Sequence, residues 1–261
     1  MKPSTAAAAA EPQAYRWRGG ALQPIAFPSQ VRLDELLGID RQKGELVQNT
    51  RQFVAGAPAN HVLLTGSRGT GKSSLVKALL AGFAAQGLRL LELHPHDLTE
   101  LPDVVAPLRG RRERFILYVD DFSVAANDPA LTALKAALDG GIEEPPDNVL
   151  IYATSNRRHL MPEFKQENEE YRWNGDELHP GETTEEKIAL SERFGLWLSF
   201  PPFNQEQYLQ LVRAHLARLQ VHSWDDDVEK AALRWALARA SRSGRVAQQF
   251  ARSFAGRLKL G

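Results

Sequence analysis

Gly66, Ser67, Arg68, Gly69, Thr70, Gly71, Lys72 and Ser73 follow directly on the apolar run His61, Val62, Leu63, Leu64 and Thr65. A second apolar stretch, Leu75 to Leu80 interrupted by Lys77, comes straight after them. The pattern G-x-x-x-x-G-K-S between a strand-like run and a helix-like run is a phosphate-binding loop in the setting that such a loop requires. The glycine turn brings backbone N–H groups and a helix N-terminus to bear on one anion, Lys72 reaches toward the terminal phosphates, and Ser73 offers a hydroxyl to Mg²⁺. Ser74 continues the loop into the helix. A chain built around this element must place a strand, a glycine turn and a helix in series, which restricts it to α/β architectures with a parallel sheet.

The rest of the chain repeats strand and helix signals. Residues 88–93 read as a strand, 97–112 as a helix, 115–119 as a continuous apolar strand, 129–138 as a helix, 149–154 as another buried strand and 196–200 as a last one. Ligands of such sheets lie at the carboxyl ends of the strands. Two of those ends carry polar residues suited to phosphate chemistry. The run Phe115 to Val119 exits into Asp120 and Asp121, a pair that would hold Mg²⁺ through Asp120 and orient an attacking water through Asp121. Adjacent aspartates also serve as plain turn formers; here the phosphate loop favours the functional reading. The neighbouring strand ends at Ala153, Thr154, Ser155 and Asn156, so that an amide stands where a terminal phosphate or its water would lie, with Arg157 and Arg158 next in the chain.

These motifs together resemble the AAA+ ATPases. The resemblance implies a three-layer αβα P-loop NTPase domain with strand order 5-1-4-3-2, a small C-terminal helical lid, ATP and Mg²⁺ as ligands, and assembly into a homo-oligomer on ATP binding. It places Gly38 and Ile39 in the segment beside the adenine, Gly66 to Ser74 in the phosphate loop, Ser73 and Asp120 on the metal, and Asp121 and Asn156 at the site of hydrolysis. Arg193, in the stretch Ser191, Glu192, Arg193, Phe194 and Gly195, falls on the arginine finger that acts on a neighbouring subunit, and Arg245 on the arginine of the lid. The strings 68–74, 152–160 and 193–198 are more closely similar to a bacterial family of predicted AAA+ ATP-binding proteins of unknown function. One departure stands out, because most hydrolysing AAA+ proteins carry Glu where this chain has Asp121, which is shorter by one methylene.

The expected organisation is an extended N-terminal tail over residues 1–30, a nucleotide-binding domain over 31–200 with an acidic insertion at 162–190, and a helical lid over 201–261. Three prolines, Pro12, Pro24 and Pro28, place the start of regular structure near Val31, with Tyr15 and Trp17 docked on the core. In the lid, Asn204 with Gln207 three residues on marks a helix start. Tyr208, Leu211, Val212, His215, Leu216 and Leu219 make one face of that helix, residues 231–241 form a second around Trp235, and Val246, Phe250, Phe254 and Leu258 stripe a third.

Charge is segregated although the formal net charge is +0. Residues 163–192 hold ten acidic and three basic side chains, whereas 231–261 hold seven basic and none acidic. A zero total argues against an extensive nucleic-acid-binding face. With no cysteine there is neither a disulfide nor a thiolate site, which suits a reducing cytoplasm. No run is long enough for a membrane span. His94 and His96 lack further metal ligands nearby, and no Asn-Lys-x-Asp string for reading guanine occurs. The functional expectation is an ATPase, slowed by Asp121, that remodels a protein or nucleic-acid partner. The alternative is a nucleotide-gated binding switch with little turnover.

Overall fold

The computed structural model describes residues 12–122, 129–139, 146–156, 172–174, 177–179 and 192–259. Arg157, Arg158, Ser191 and most of the acidic insertion lie outside these residues. Five parallel strands make up most of the sheet: β3 (Val62–Gly66), β4 (Leu88–Leu93), β5 (Arg114–Val119), β6 (Val149–Ser155) and β9 (Leu196–Phe200). They run β4-β5-β6-β3-β9, which is the expected order 5-1-4-3-2 read from the other edge. β3 lies between β6 and β9, with Leu63 opposite both Ala153 and Trp197, so the phosphate loop leaves from an interior strand, one in from the β9 edge.

Every residue of β3 and of β6 is buried, as expected of strands covered on both faces. Alternate side chains serve two cores. Val62, Leu64, Ile116, Tyr118 and Leu198 pack against α1 (Asp40–Val54), α2 (Lys72–Phe83) and the C-terminal helices. Leu63, Phe115, Leu117, Val119, Ile151 and Ala153 face Leu98, Leu101, Val104 and Leu108 together with Leu134 of α4 (Pro129–Asp139). The period of two along each strand thus makes three layers.

Two expectations are corrected here. Regular structure begins at residue 14 and not near Val31: β1 (Ala14–Arg18) and β2 (Ala21–Pro24) form an antiparallel hairpin, and β1 pairs in parallel with β4. The prolines fall outside β1, and Pro24 ends the edge strand, where its missing N–H removes no ladder bond from the interior. Tyr15 and Trp17 are buried in the second core, and Trp17 Nε1 donates to Glu100 at 2.6 Å. The segment 97–112 is not one helix. It divides into a 3₁₀ turn (Pro95–Glu100), the short α3 (Leu101–Val105) and another 3₁₀ turn (Ala106–Leu108). Pro102 and Pro107 each lack an N–H and interrupt a continuous α-helical ladder.

Beyond β9 come α5 (Gln205–Arg218), α6 (Asp226–Ala238) and α7 (Gly244–Leu258). Asn204 and Gln207 make the expected reciprocal cap. α6 starts five residues earlier than expected, capped by Asp225, because its acidic first turn suits the positive end of a helix dipole but carries no apolar periodicity. Tyr208 donates its hydroxyl to the Ala232 carbonyl at 3.1 Å, joining α5 to α6. Leu219 and Leu258, expected on inward faces, are 38% and 55% exposed. Each lies at or beyond the end of its helix, where the apolar stripe runs past the core. A two-stranded ladder, β7 (Arg172–Asn174) with β8 (Glu177–His179), is the described part of the acidic insertion.

Candidate nucleotide site

Gly66 has a backbone φ of +126°, and a Cβ built on it would lie 2.1 Å from the Phe200 carbonyl oxygen of β9. Only glycine lets the chain leave β3 at this point. Gly69 and Gly71 also have positive φ, and Gly71 caps α2 in the left-handed region. Among the described hydrogen bonds none uses the backbone N–H of Thr70, Gly71, Lys72 or Ser73. These donors therefore remain for an anion.

Lys72 is 4% exposed and donates from Nζ to the Gly66 carbonyl at 2.7 Å, the Ser67 carbonyl at 2.9 Å and Asn156 Oδ1 at 3.1 Å. Burial pulls its pKa down to about 8, with Arg68 adding to that pull and Asp120 and Asp121 opposing it. Asn156 turns its other end to Asp121, donating from Nδ2 to Oδ1. A carboxamide can accept from a cation and donate to a carboxylate at once, so Asn156 joins the lysine to the second aspartate. Asp121 itself stands at φ +54°, unusual for a residue with a side chain, and its N–H donates to Thr154 Oγ1 at 3.0 Å.

Ser73 Oγ donates to Asp120 Oδ1 at 2.8 Å, and Thr154 Oγ1 donates to the same oxygen at 2.6 Å. Burial pushes the Asp120 carboxyl up. The hydroxyls of Thr154, Tyr118 and Ser73 and the charge of Lys77 outweigh that push and hold it below its usual range. Tyr118 is fully buried, and its hydroxyl lies beside Ser73, Asp120 and Thr154. Burial, then the Asp120 charge, pushes the phenol above its ordinary value. The Ser73 hydroxyl and the Asp120 carboxylate form an all-oxygen pair that suits a hard divalent cation. Among the described residues no three His, Cys, Asp or Glu side chains converge.

Lys72, Ser73, Asp120, Asp121 and Asn156 line one cleft of about 570 Å³, a size suited to a nucleotide. The phosphate end holds Arg68, Gly69, Thr70, Gly71, Lys72, Ser73, Ser74, Asp120, Asp121 and Asn156. Leu36, Leu37, Ile39, Phe203 and Leu211 supply its apolar lining, and Gly38, not itself a lining residue, lies close to the Phe203 ring. Gly66 and Ser67 do not line the cleft and act through the carbonyls that hold Lys72. Arg245 lines it from the start of α7. Arg193 is half-buried before β9 and is not among the lining residues.

Sequence reasoning missed Thr154, Phe203, Arg218 and Gln248, and read His215 only as part of an apolar face. His215 and Arg218 stand one turn apart on α5, a spacing that could have placed both at the cleft once α5 was set over the site. Burial, followed by the nearby Arg218 and Arg252, lowers the His215 pKa and favours a neutral imidazole. His94 and His96 stack on each other, 5.1 Å between centroids, as polar loop residues.

Three solved structures of the Thermotoga maritima RuvB Holliday junction branch migration motor or its point variants share the fold. The first is 17% identical with a TM-score of 0.55, covering 85% of this chain and 63% of that one. A variant with alanine in place of an arginine is 15% identical at 0.54, with the same coverage. A variant with serine in place of an alanine is 16% identical at 0.55, covering 85% and 64%. The chain thus spans slightly less than two thirds of the length of these neighbours. It has the AAA+ P-loop NTPase fold. No curated protein matches it by sequence. The family model described as protein of unknown function, DUF815, matches residues 10–258, and the chain belongs to that family.

Proposed function

We propose that the protein binds ATP with Mg²⁺ in this cleft and hydrolyses it to move its C-terminal helices, which act as a lid and remodel a partner protein or nucleic acid. The supporting observation is the convergence of Lys72, Ser73, Asp120, Asp121 and Asn156 at the carboxyl ends of three adjacent strands. Ser73 and Asp120 would hold the metal, which supplies charge neutralisation at the phosphates when bound. Lys72 and the loop N–H groups hold the triphosphate. Asp121, oriented by Asn156, positions water and accepts its proton. Arg245 reaches the phosphates from the lid. Arg193, away from its own cleft, serves as the finger for a neighbouring subunit, where a guanidinium accelerates transfer by about 10³- to 10⁵-fold.

The strained backbone of Asp121 and its short side chain support a second reading, a nucleotide-gated binding switch with little turnover. Turnover measured beside mass by light scattering separates the two. A motor gives assembly with a slowly hydrolysed ATP analogue, concentration-dependent turnover, and partial recovery when Arg193→Ala and Lys72→Ala subunits are mixed. A switch gives a monomer that binds and scarcely hydrolyses. Turnover no higher than that of an Asp120→Ala control rejects the enzyme.

A further inference from the structure

The tip of the phosphate loop and the start of α7 touch through their backbones. Gly244 N–H donates to the Gly69 carbonyl at 2.8 Å. The approach leaves no room for a side chain on Gly69, where a Cβ would lie 2.8 Å from Ser243 Cβ and 2.9 Å from its Oγ, and little on Gly244, where one would lie 3.2 Å from the Gly69 oxygen. Ser243 caps α7 by accepting from the Val246 N–H at 3.3 Å, which fixes the first turn that carries Gly244. At the other end of the cleft Arg218 Nη2 donates to the Glu35 carbonyl at 2.9 Å. The C-terminal helices are thus bonded to both ends of the site.

The Gly69 carbonyl and the Thr70 N–H belong to one planar trans peptide, in which C=O and N–H point in opposite directions. Holding the carbonyl toward α7 therefore turns the Thr70 N–H away from α7. Thr70 is 2% exposed, and its N–H is one of the loop donors that no described hydrogen bond uses. We propose that Gly244 is a positioning residue: its backbone N–H sets the Gly69–Thr70 peptide so that the loop presents Thr70 N–H to the triphosphate, which makes seating of α7 and phosphate affinity one linked equilibrium. This rests on the reading of the cleft as a nucleotide site. It assigns the link between phosphate and lid to a backbone contact that acts alongside the Arg245 side chain. By reciprocity, whatever holds α7 in place tightens nucleotide binding by the same factor by which nucleotide tightens α7.

Gly244 occupies the first position of α7, where proline is accommodated without loss of a helical bond, so Gly244→Pro breaks this one contact, the donor being lost and the ring Cδ displacing the Gly69 carbonyl. Gly244→Ala adds a carbon and keeps the N–H. The two variants are compared by titration with a fluorescent, slowly hydrolysed ATP analogue and Mg²⁺, with amide exchange of residues 66–73 followed in parallel. The proline variant should bind about tenfold more weakly than the alanine variant, since the Gly69 carbonyl loses its partner, and its loop should exchange faster. Equal affinities and equal exchange would overturn the proposal. A measurement on the unaltered protein is independent of how either variant folds: the Gly244 amide should be protected and become more so with the analogue, and an unprotected amide in both states would overturn the proposal as well. If the unaltered protein binds no nucleotide, the reading of the cleft itself fails; if it binds while the two variants agree, only the Gly244 contact is wrong.

Discussion

At the scale of single residues, the site is organised by Lys72 and Asn156. The lysine spends all three donors on two loop carbonyls and the Asn156 amide, and the amide passes the interaction on to Asp121. With its pKa lowered to about 8 by burial, Lys72 is charged below that pH and loses its proton above it. A bound triphosphate favours the charged form and raises that value. Nucleotide affinity should therefore fall as pH rises through about 8, and binding at alkaline pH should take up a proton. Calorimetry at pH 8.5 in two buffers of different ionisation enthalpy reads this directly; heats independent of the buffer would contradict it. Much of this site was legible in the sequence because its spacing is local: loop, Asp120 with Asp121, and Asn156 each sit at a strand end. Thr154 was not read as a partner of Asp120, because that contact crosses from β6 to β5 and needs the register of the sheet.

At the scale of elements, the N-terminal hairpin and the first core strand carry separate tests. Trp17 is 5% exposed and bonded to Glu100, so Trp17→Ala should cost about 3–5 kcal/mol in denaturant unfolding. A loss under about 1 kcal/mol would mean that the hairpin is not part of the cooperative unit. His61 accepts at Nδ1 from the Ile151 N–H, bridging the start of β3 to β6, and burial depresses its pKa to about 4. Its unfolded value lies near 6.5, so the stability held by neutral His61 is complete above about pH 6.5 and drains as pH falls toward 4, by roughly 3 kcal/mol in all. Urea midpoints across that range check the slope, and His61→Gln should flatten it. The strands were legible because continuous apolar runs between turn residues have few other uses. The hairpin was not, since Pro12, Pro24 and Pro28 suggest extended chain, and only pairing with β4 shows that the residues between them form strands.

At the scale of the molecule, one cleft joins the strand ends to the C-terminal helices, and the account stands on what that cleft binds. The strand order could be named from family resemblance, whereas the seating of α5 and α7 over the loop depends on contacts between residues far apart in the chain, such as Gly69 with Gly244 and Glu35 with Arg218. No helix among the described residues is long and apolar enough to cross a membrane. Direct titration of ATP with Mg²⁺ against the unaltered chain and Lys72→Ala, with circular dichroism to confirm that both are folded, tests the central claim most simply. Saturable binding that weakens by at least about tenfold on loss of the lysine ammonium is the predicted result. Binding that is absent in the unaltered chain, or undiminished in a folded Lys72→Ala variant, would contradict it.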